Sequence, residues 1–189
     1  MTVSRFVLLI SFALISLAPP IAMSQQSSPQ QTSDERQFAP PASCPVTVPP
    51  ANQFIPPAPY EPGGDNAFLI GTEKLWTVLR KSGTWGWRPH KPGHEQEVQP
   101  LTDKIFWVSV DYNWKTEPDP ELKVTGKRLD GDAPPLLVTP ARNAFPGPAP
   151  AMVIGVYVPT PGCWQITGEY KGQQLSFVVW VKPVKQGNQ

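Results

Sequence analysis

The sequence predicts an all-β chain, a two-layer antiparallel sandwich entered through a proline-rich arm. Three observations carry this reading. From Ala67 onward short apolar runs recur, separated by Gly, Pro, Asn and Asp. Two of the runs alternate with period two, and no stretch carries an apolar stripe of helical period and adequate length. Nine prolines fall between residues 40 and 62, so the run-up to the first strand can be neither helix nor central strand.

The elements follow in chain order. Arg5 precedes a short apolar stretch, Phe6 to Ala18, and Ala22-Met23-Ser24 supplies small residues at the positions a signal peptidase reads. An apolar core of this length is a secretory leader; a membrane span needs ~20 residues. Residues 1–24 are therefore expected to be a cleaved signal peptide, and no later apolar run is long enough to cross a membrane. The expected product is exported and soluble, periplasmic or extracellular. Pro41-Ala42-Ser43 ahead of Cys44 lacks the aliphatic residue of a lipidation site. Gln25 to Gln37 is polar and aperiodic and reads as a disordered tether. The arm completes the span 25–62, the sandwich is expected over 63–184, and 185–189 form a short tail.

Phe106, Val108, Val110, Tyr112 and Trp114 fall on one side of an alternating run and are the expected core face; Trp107, Ser109, Asp111 and Asn113 fall on the other. Leu175, Phe177, Val179 and Val181 repeat the pattern, with Ser176, Trp180 and Lys182 opposite. Further strands are expected within Leu75–Leu79, Leu122–Leu129, Leu136–Thr139, Met152–Val158 and Trp164–Tyr170. Tyr170-Lys171-Gly172-Gln173 reads as a tight hairpin whose glycine supplies positive φ. About seven strands at this spacing suit a sandwich of immunoglobulin-like type.

Two cysteines in an exported chain most simply form one bridge, Cys44–Cys163. Its loop of roughly 120 residues is worth about 4–5 kcal/mol in the chain-entropy account. Neighbouring strand residues point to opposite faces. If Trp164 enters the core with Ile166 and Tyr170, Cys163 turns away from it. The bridge then pins the arm to the outside of the sandwich, unlike the bridge inside an antibody domain.

The run Thr160-Pro161-Gly162-Cys163-Trp164-Gln165-Ile166-Thr167-Gly168, with Leu175-Ser176-Phe177-Val178-Val179-Trp180-Val181 after it, resembles the ending of a group of uncharacterised exported bacterial proteins. Leu75-Trp76-Thr77-Val78-Leu79, Leu122 to Asp130 and Ala133-Pro134-Pro135-Leu136 extend the likeness over about Cys44 to Val181. The resemblance implies an exported immunoglobulin-like sandwich of bacterial envelope type, and no functional residues.

Composition narrows the partners. Lys and Arg number 16 against 15 Asp and Glu, and Arg5 leaves with the leader, so the mature chain is formally neutral. It has no basic stripe to neutralise phosphates, and a nucleic-acid partner is not expected. No cofactor motif or Gly-x-Ser-x-Gly elbow occurs. His90-Lys91-Pro92-Gly93-His94-Glu95 groups both histidines with a carboxylate. It is the candidate for a metal-binding or hydrolytic alternative, although Pro92-Gly93 precludes a regular helix between the histidines. Glu117, Asp119 and Glu121 offer a carboxylate pair in an exposed connection. Asp130-Gly131-Asp132 reads as a turn.

Seven tryptophans exceed what such a core requires. Trp76, Trp114 and Trp164 fit core positions, whereas Trp107 and Trp180 fall on outer faces and Trp85-Gly86-Trp87-Arg88 reads as a loop. Exposed Trp and Arg bury large area at little entropic cost and are favoured at binding hot spots. Trp85, Trp87, Arg88, Trp107 and Trp180 are thus the expected binding surface, unless the arm covers them. The expected function is a non-enzymatic envelope module for a protein or glycan.

Overall fold

The computed structural model describes residues 40–61, 63–87 and 102–183. The expected signal peptide, the polar tether and the C-terminal tail lie outside the described residues, as do Arg88, His90, His94 and Glu95. The described chain is all-β and contains no helix. Its strands are β1 (Ala67–Thr72), β2 (Leu75–Arg80), β3 (Thr84–Trp87), β4 (Asp103–Val108), β5 (Lys123–Arg128), β6 (Leu137–Val138), β7 (Arg142–Ala144), β8 (Ala151–Tyr157), β9 (Gly162–Tyr170) and β10 (Gln173–Pro183).

They form a β-sandwich of two sheets. The first runs β1-β2-β4-β8-β6, with β7 also on β8, and all its pairings are antiparallel. The second runs β3-β10-β9-β5 and is mixed, because β3 lies parallel to β10 while the other pairs are antiparallel. The chain passes from the first sheet to the second between β2 and β3. Lys171 (φ 47°) and Gly172 (φ 77°) make the two-residue β9–β10 turn, with Gln173 opposite Tyr170. Positive φ at both positions is the type I′ geometry that matches strand twist, as the sequence predicts.

Between the sheets lies a core of Phe68, Leu75 and Leu79 from β1 and β2, Ile105 and Trp107 from β4, and Met152, Ile154 and Val156 from β8. Trp85 of β3, Trp164, Ile166 and Tyr170 of β9, and Phe177, Val179 and Val181 of β10 face them. The Trp107 ring lies across β9 at Gly168, where a Cβ atom would stand 2.4 Å from Trp107 Cη2. Only a residue without a side chain admits the indole there. Its buried N–H has no hydrogen-bond partner among the described residues.

Two expectations about β4 are corrected. The strand ends at Val108 rather than continuing to Trp114. Ser109 Oγ accepts from Asp111 N–H, and Asn113 O accepts from the Thr116 and Glu117 N–H groups, turning the chain. The expected faces are also exchanged. Trp107 is fully buried between the sheets with Ile105, while Phe106 and Val108 point outward.

Those outward residues are not left to water. Leu69, Trp76, Val108 and Ala151 form a second apolar cluster on the outer face of the first sheet, with Phe106 beside them. The proline-rich segment covers it with Phe54 and Tyr60. Phe54 packs tilted on Trp76 with ring centroids 5.5 Å apart, Tyr60 meets the same ring edge-on at 5.0 Å, and Tyr60 Oη donates to Pro150 O. The N-terminal part of the same segment lies on the second sheet, tied by the disulfide from Cys44 to Cys163. Cys163 and Trp164 point to opposite sides of β9, as alternation requires: Trp164 joins the core and Cys163 does not.

Gly168→Ala is expected to destabilise the domain by about 1–3 kcal/mol, the range for forcing extra volume into a packed core. Urea unfolding measures it. In a Trp107→Leu background the same Gly168→Ala change should cost less, because the smaller side chain leaves room for the added methyl group.

Candidate functional site

The tryptophans nominated for binding lie mostly inside the fold. Trp107 is fully buried, and Trp85 is buried on β3, meeting Phe177 edge-on at 6.1 Å. The stretch expected as a loop pairs in register with β10 and turns Trp85 inward. Trp87 is half-buried, and its indole N–H donates to Val158 O at 3.0 Å. Trp180 is half-buried on the outer side of β10, directly across from Cys163. These four do not form one exposed platform. Arg88, His90, His94 and Glu95 lie outside the described residues. Among the described residues no group of three His, Cys, Asp or Glu could hold a metal ion.

The carboxylates are brought to one place. Glu117, Asp119 and Glu121 line a cleft of about 530 Å³ together with Glu169, Tyr170, Lys171 and Lys123. The 109–122 connection forms one wall and the β9–β10 turn the other. Tyr170 Oη donates to Glu117 Oε2 at 2.7 Å, and Lys171 Nζ donates to Glu117 Oε1 at 2.5 Å and to Asp111 O at 2.7 Å. Burial alone would raise the Glu117 carboxyl. Hydrogen bonds from Lys171 and Tyr170, with the Lys171 charge, outweigh it and hold Glu117 below the usual carboxylate range. The Tyr170 hydroxyl is pushed well above its ordinary value, first by burial and then by its bond to the Glu117 carboxylate. Tyr112 is raised by burial and by the charges of Glu117 and Asp119.

General acid catalysis requires a carboxyl that keeps its proton near neutrality. Glu117 is the reverse, an ionised acceptor with both oxygens occupied. Arg142 Nη1 donates to Asp119 Oδ1. The arrangement ties the 109–122 connection to the β9–β10 turn, which is a structural use of these charges.

Exposed apolar side chains lie elsewhere: Ile55 and Val48 on the proline-rich segment, and others along the β6–β7 side of the first sheet. Leu137 and Phe145 are each 63% exposed, and Val138 is exposed beside Leu137. Phe145 follows β7 at φ 58°, a left-handed conformation that is unfavourable for a bulky residue. Its ring stacks on Phe106 with centroids 5.3 Å apart. The register places Leu137, opposite Tyr157, on the same face as Phe106, opposite Val153, and Ala144, opposite Ala151. Even spacing along β8 keeps their side chains on the same side, and six residues separate the two ends by about 20 Å. Exposed Arg142, also opposite Val153, stands between the two ends, and Val138, opposite buried Val156, faces the other way. The sequence reading has Leu136–Thr139 as a strand but passes over Phe145, because nothing in Ala144-Phe145-Pro146 marks a residue that tertiary contacts turn outward.

The chain matches no protein-family model, no curated protein and no solved structure.

Stability is expected to depend on pH through the Glu117–Tyr170 pair. A carboxyl lowered on folding stabilises above its unfolded pKa, near 4.5, and this is lost as pH falls through the folded value. A phenol raised on folding stabilises below its unfolded value of 10.0, and this is lost as pH rises above it. Thermal melts from pH 3 to 11 should therefore show an acid limb weakened by Glu117→Gln and an alkaline limb weakened by Tyr170→Phe.

Proposed function

We propose that this protein is an exported, non-enzymatic β-sandwich module of immunoglobulin-like type that binds a protein partner in the bacterial cell envelope. Strand order supports the fold type. With β1, β3 and the short β7 set aside, the first sheet reads β2-β4-β8-β6 and the second β5-β9-β10. In chain order that is the ABED and CFG arrangement of the constant-type domain. Export is supported by the leader-like residues 1–24 and is compatible with the disulfide. No helix among the described residues is long and apolar enough to cross a membrane.

The observation that carries the binding reading is Phe145. It is a large aromatic residue, mostly exposed, held in a left-handed backbone conformation costing of the order of 1–3 kcal/mol, on the same side of the sheet as exposed Leu137. Strain kept at an exposed aromatic is what a binding anchor shows, and aromatic anchors dominate interface energetics. An isolated aromatic anchor beside a strand edge, with an exposed leucine farther along the same face, suits a protein surface better than a sugar ring.

Two measurements test this reading. The intact mass of the exported protein should correspond to a chain beginning at Gln25. A photo-crosslinking residue at position 145 or 137 should give discrete protein adducts in intact cells, while the same residue at exposed Lys127 on β5 should give none. Adducts at all three positions alike, or glycan-array binding abolished by Phe145→Ala, would replace the protein-partner reading.

A further inference from the structure

The proline-rich segment guards a strand edge. On one side β10 is paired with β9 over residues 173–181. On its other side β3 reaches only residues 180–183. Gly83 O, just ahead of β3, accepts from Trp180 N–H, and before residue 180 the described residue that bonds this side is Thr47. Thr47 N–H donates to Val178 O at 2.9 Å, and Val178 N–H donates to Thr47 Oγ1 at 2.8 Å. Alternate residues of an antiparallel strand direct their backbone groups to the same side. Gln174 and Ser176 therefore aim their N–H and C=O groups along the edge that Thr47 occupies at Val178.

Such an edge is a template for another strand unless charge or proline blunts it. Between 173 and 179 β10 has neither: its residues are Gln, Gln, Leu, Ser, Phe, Val and Val. The blunting comes from the neighbouring segment. Pro45, Pro49 and Pro50 flank Thr47 and have no N–H to donate, so the segment accepts one pairing and cannot extend the sheet.

Two contacts hold the guard in place. Val46 sits over Gly83, where a Cβ atom would stand 2.1 Å from Val46 Cγ1. The second is the Cys44–Cys163 bridge. Both cysteines are buried, Cys163 completely and Cys44 to 7% exposure; Cys44, between exposed Ser43 and Pro45, is the less enclosed of the two, so a reductant approaches from its side.

We propose that this bridge is a redox latch: a dithiol reductant that opens it releases the segment around Thr47 and frees the β10 edge to pair with the same edge of a second copy. In the opening step a reductant thiolate attacks Cys44 Sγ and forms a mixed disulfide, and Cys163 leaves as a thiolate that takes up a proton. The reductant's second thiol then displaces Cys44 and closes its own disulfide, so two electrons pass to the protein. A second copy suits the freed edge because residues 174–178 carry no charge, and two such edges meeting antiparallel bring no like charges together. Phe54 and Tyr60 remain on the first sheet, since their contacts with Trp76 do not involve the bridge.

Reducing the folded, full-length mature chain with dithiothreitol tests this directly. Two titratable thiols should appear without denaturant, the Val178 amide should exchange at least tenfold faster, and sedimentation should show a dimer that grows with concentration. The Cys44→Ser/Cys163→Ser chain should behave likewise without reductant. Ser176→Lys should return either to monomer by placing like charges across the new pair. Thr47→Ala with the bridge intact keeps the fold and isolates the edge, speeding exchange at Val178 alone. A bridge that resists dithiothreitol until the domain unfolds overturns the proposal. So do a reduced chain that stays monomeric and a dimer indifferent to Ser176→Lys.

Discussion

The first sheet of this protein is apolar on both faces, and that single condition organises the molecule. Phe68, Leu75, Ile105, Trp107, Met152 and Ile154 need an inner layer, which the second sheet supplies. Leu69, Trp76, Val108 and Ala151 need an outer one. A sandwich whose outer faces meet water has no use for residues such as Trp76 there, because leaving that ring in water forfeits about 1.5–3 kcal/mol of burial. The proline-rich segment exists in its observed place because it completes a third layer. Its prolines suit the task, since an extended chain without donors can lie on a sheet without competing for the ladder.

The same segment connects covalent chemistry to packing. One end is fixed by sulfur on the second sheet and the other by aromatic rings on the first, so it wraps the sandwich instead of trailing from it. Charged residues serve a comparable fastening role at the β9–β10 turn. Lys171, Tyr170 and Glu117 bind the long connection after β4, and the left-handed backbone of Lys171 is set by the turn type. Arg128 does the same near Gly162. It bonds Asp130 and Thr160, and a Cβ atom on Gly162 would fall 2.6 Å from its Nε. Ion pairs here close loops over the core, and Arg142 of β7 joins Asp119 in the same way.

Much of the strand content was legible because period-two alternation is a local property. β9 follows it from Trp164 to Tyr170, β10 sets Leu175, Phe177, Val179 and Val181 on one face, and Tyr170-Lys171-Gly172-Gln173 announces the turn between them. β4 shows where that signal ends. Alternation separates Trp107 from Phe106 but does not say which of them faces the second sheet, and both sides of the strand are large and apolar. Trp85 was obscured for a related reason: Gly86 and a short run suggest a loop, while parallel pairing with β10, more than ninety residues away, makes it a buried strand.

By itself the sequence determined the all-β class, the hairpin, the pairing of its two cysteines and the opposite pointing of Cys163 and Trp164. Each follows from neighbouring residues or from there being one partner to choose. Tertiary structure alone decided which face of β4 is interior, where the proline-rich segment lies, and which aromatic residue remains in water. Those outcomes depend on what stands opposite a side chain across the sandwich, and no local pattern contains that information. Phe145 is exposed because β7 ends beside Phe106 of a strand nearly forty residues earlier, a meeting that exists only after the sheets have formed.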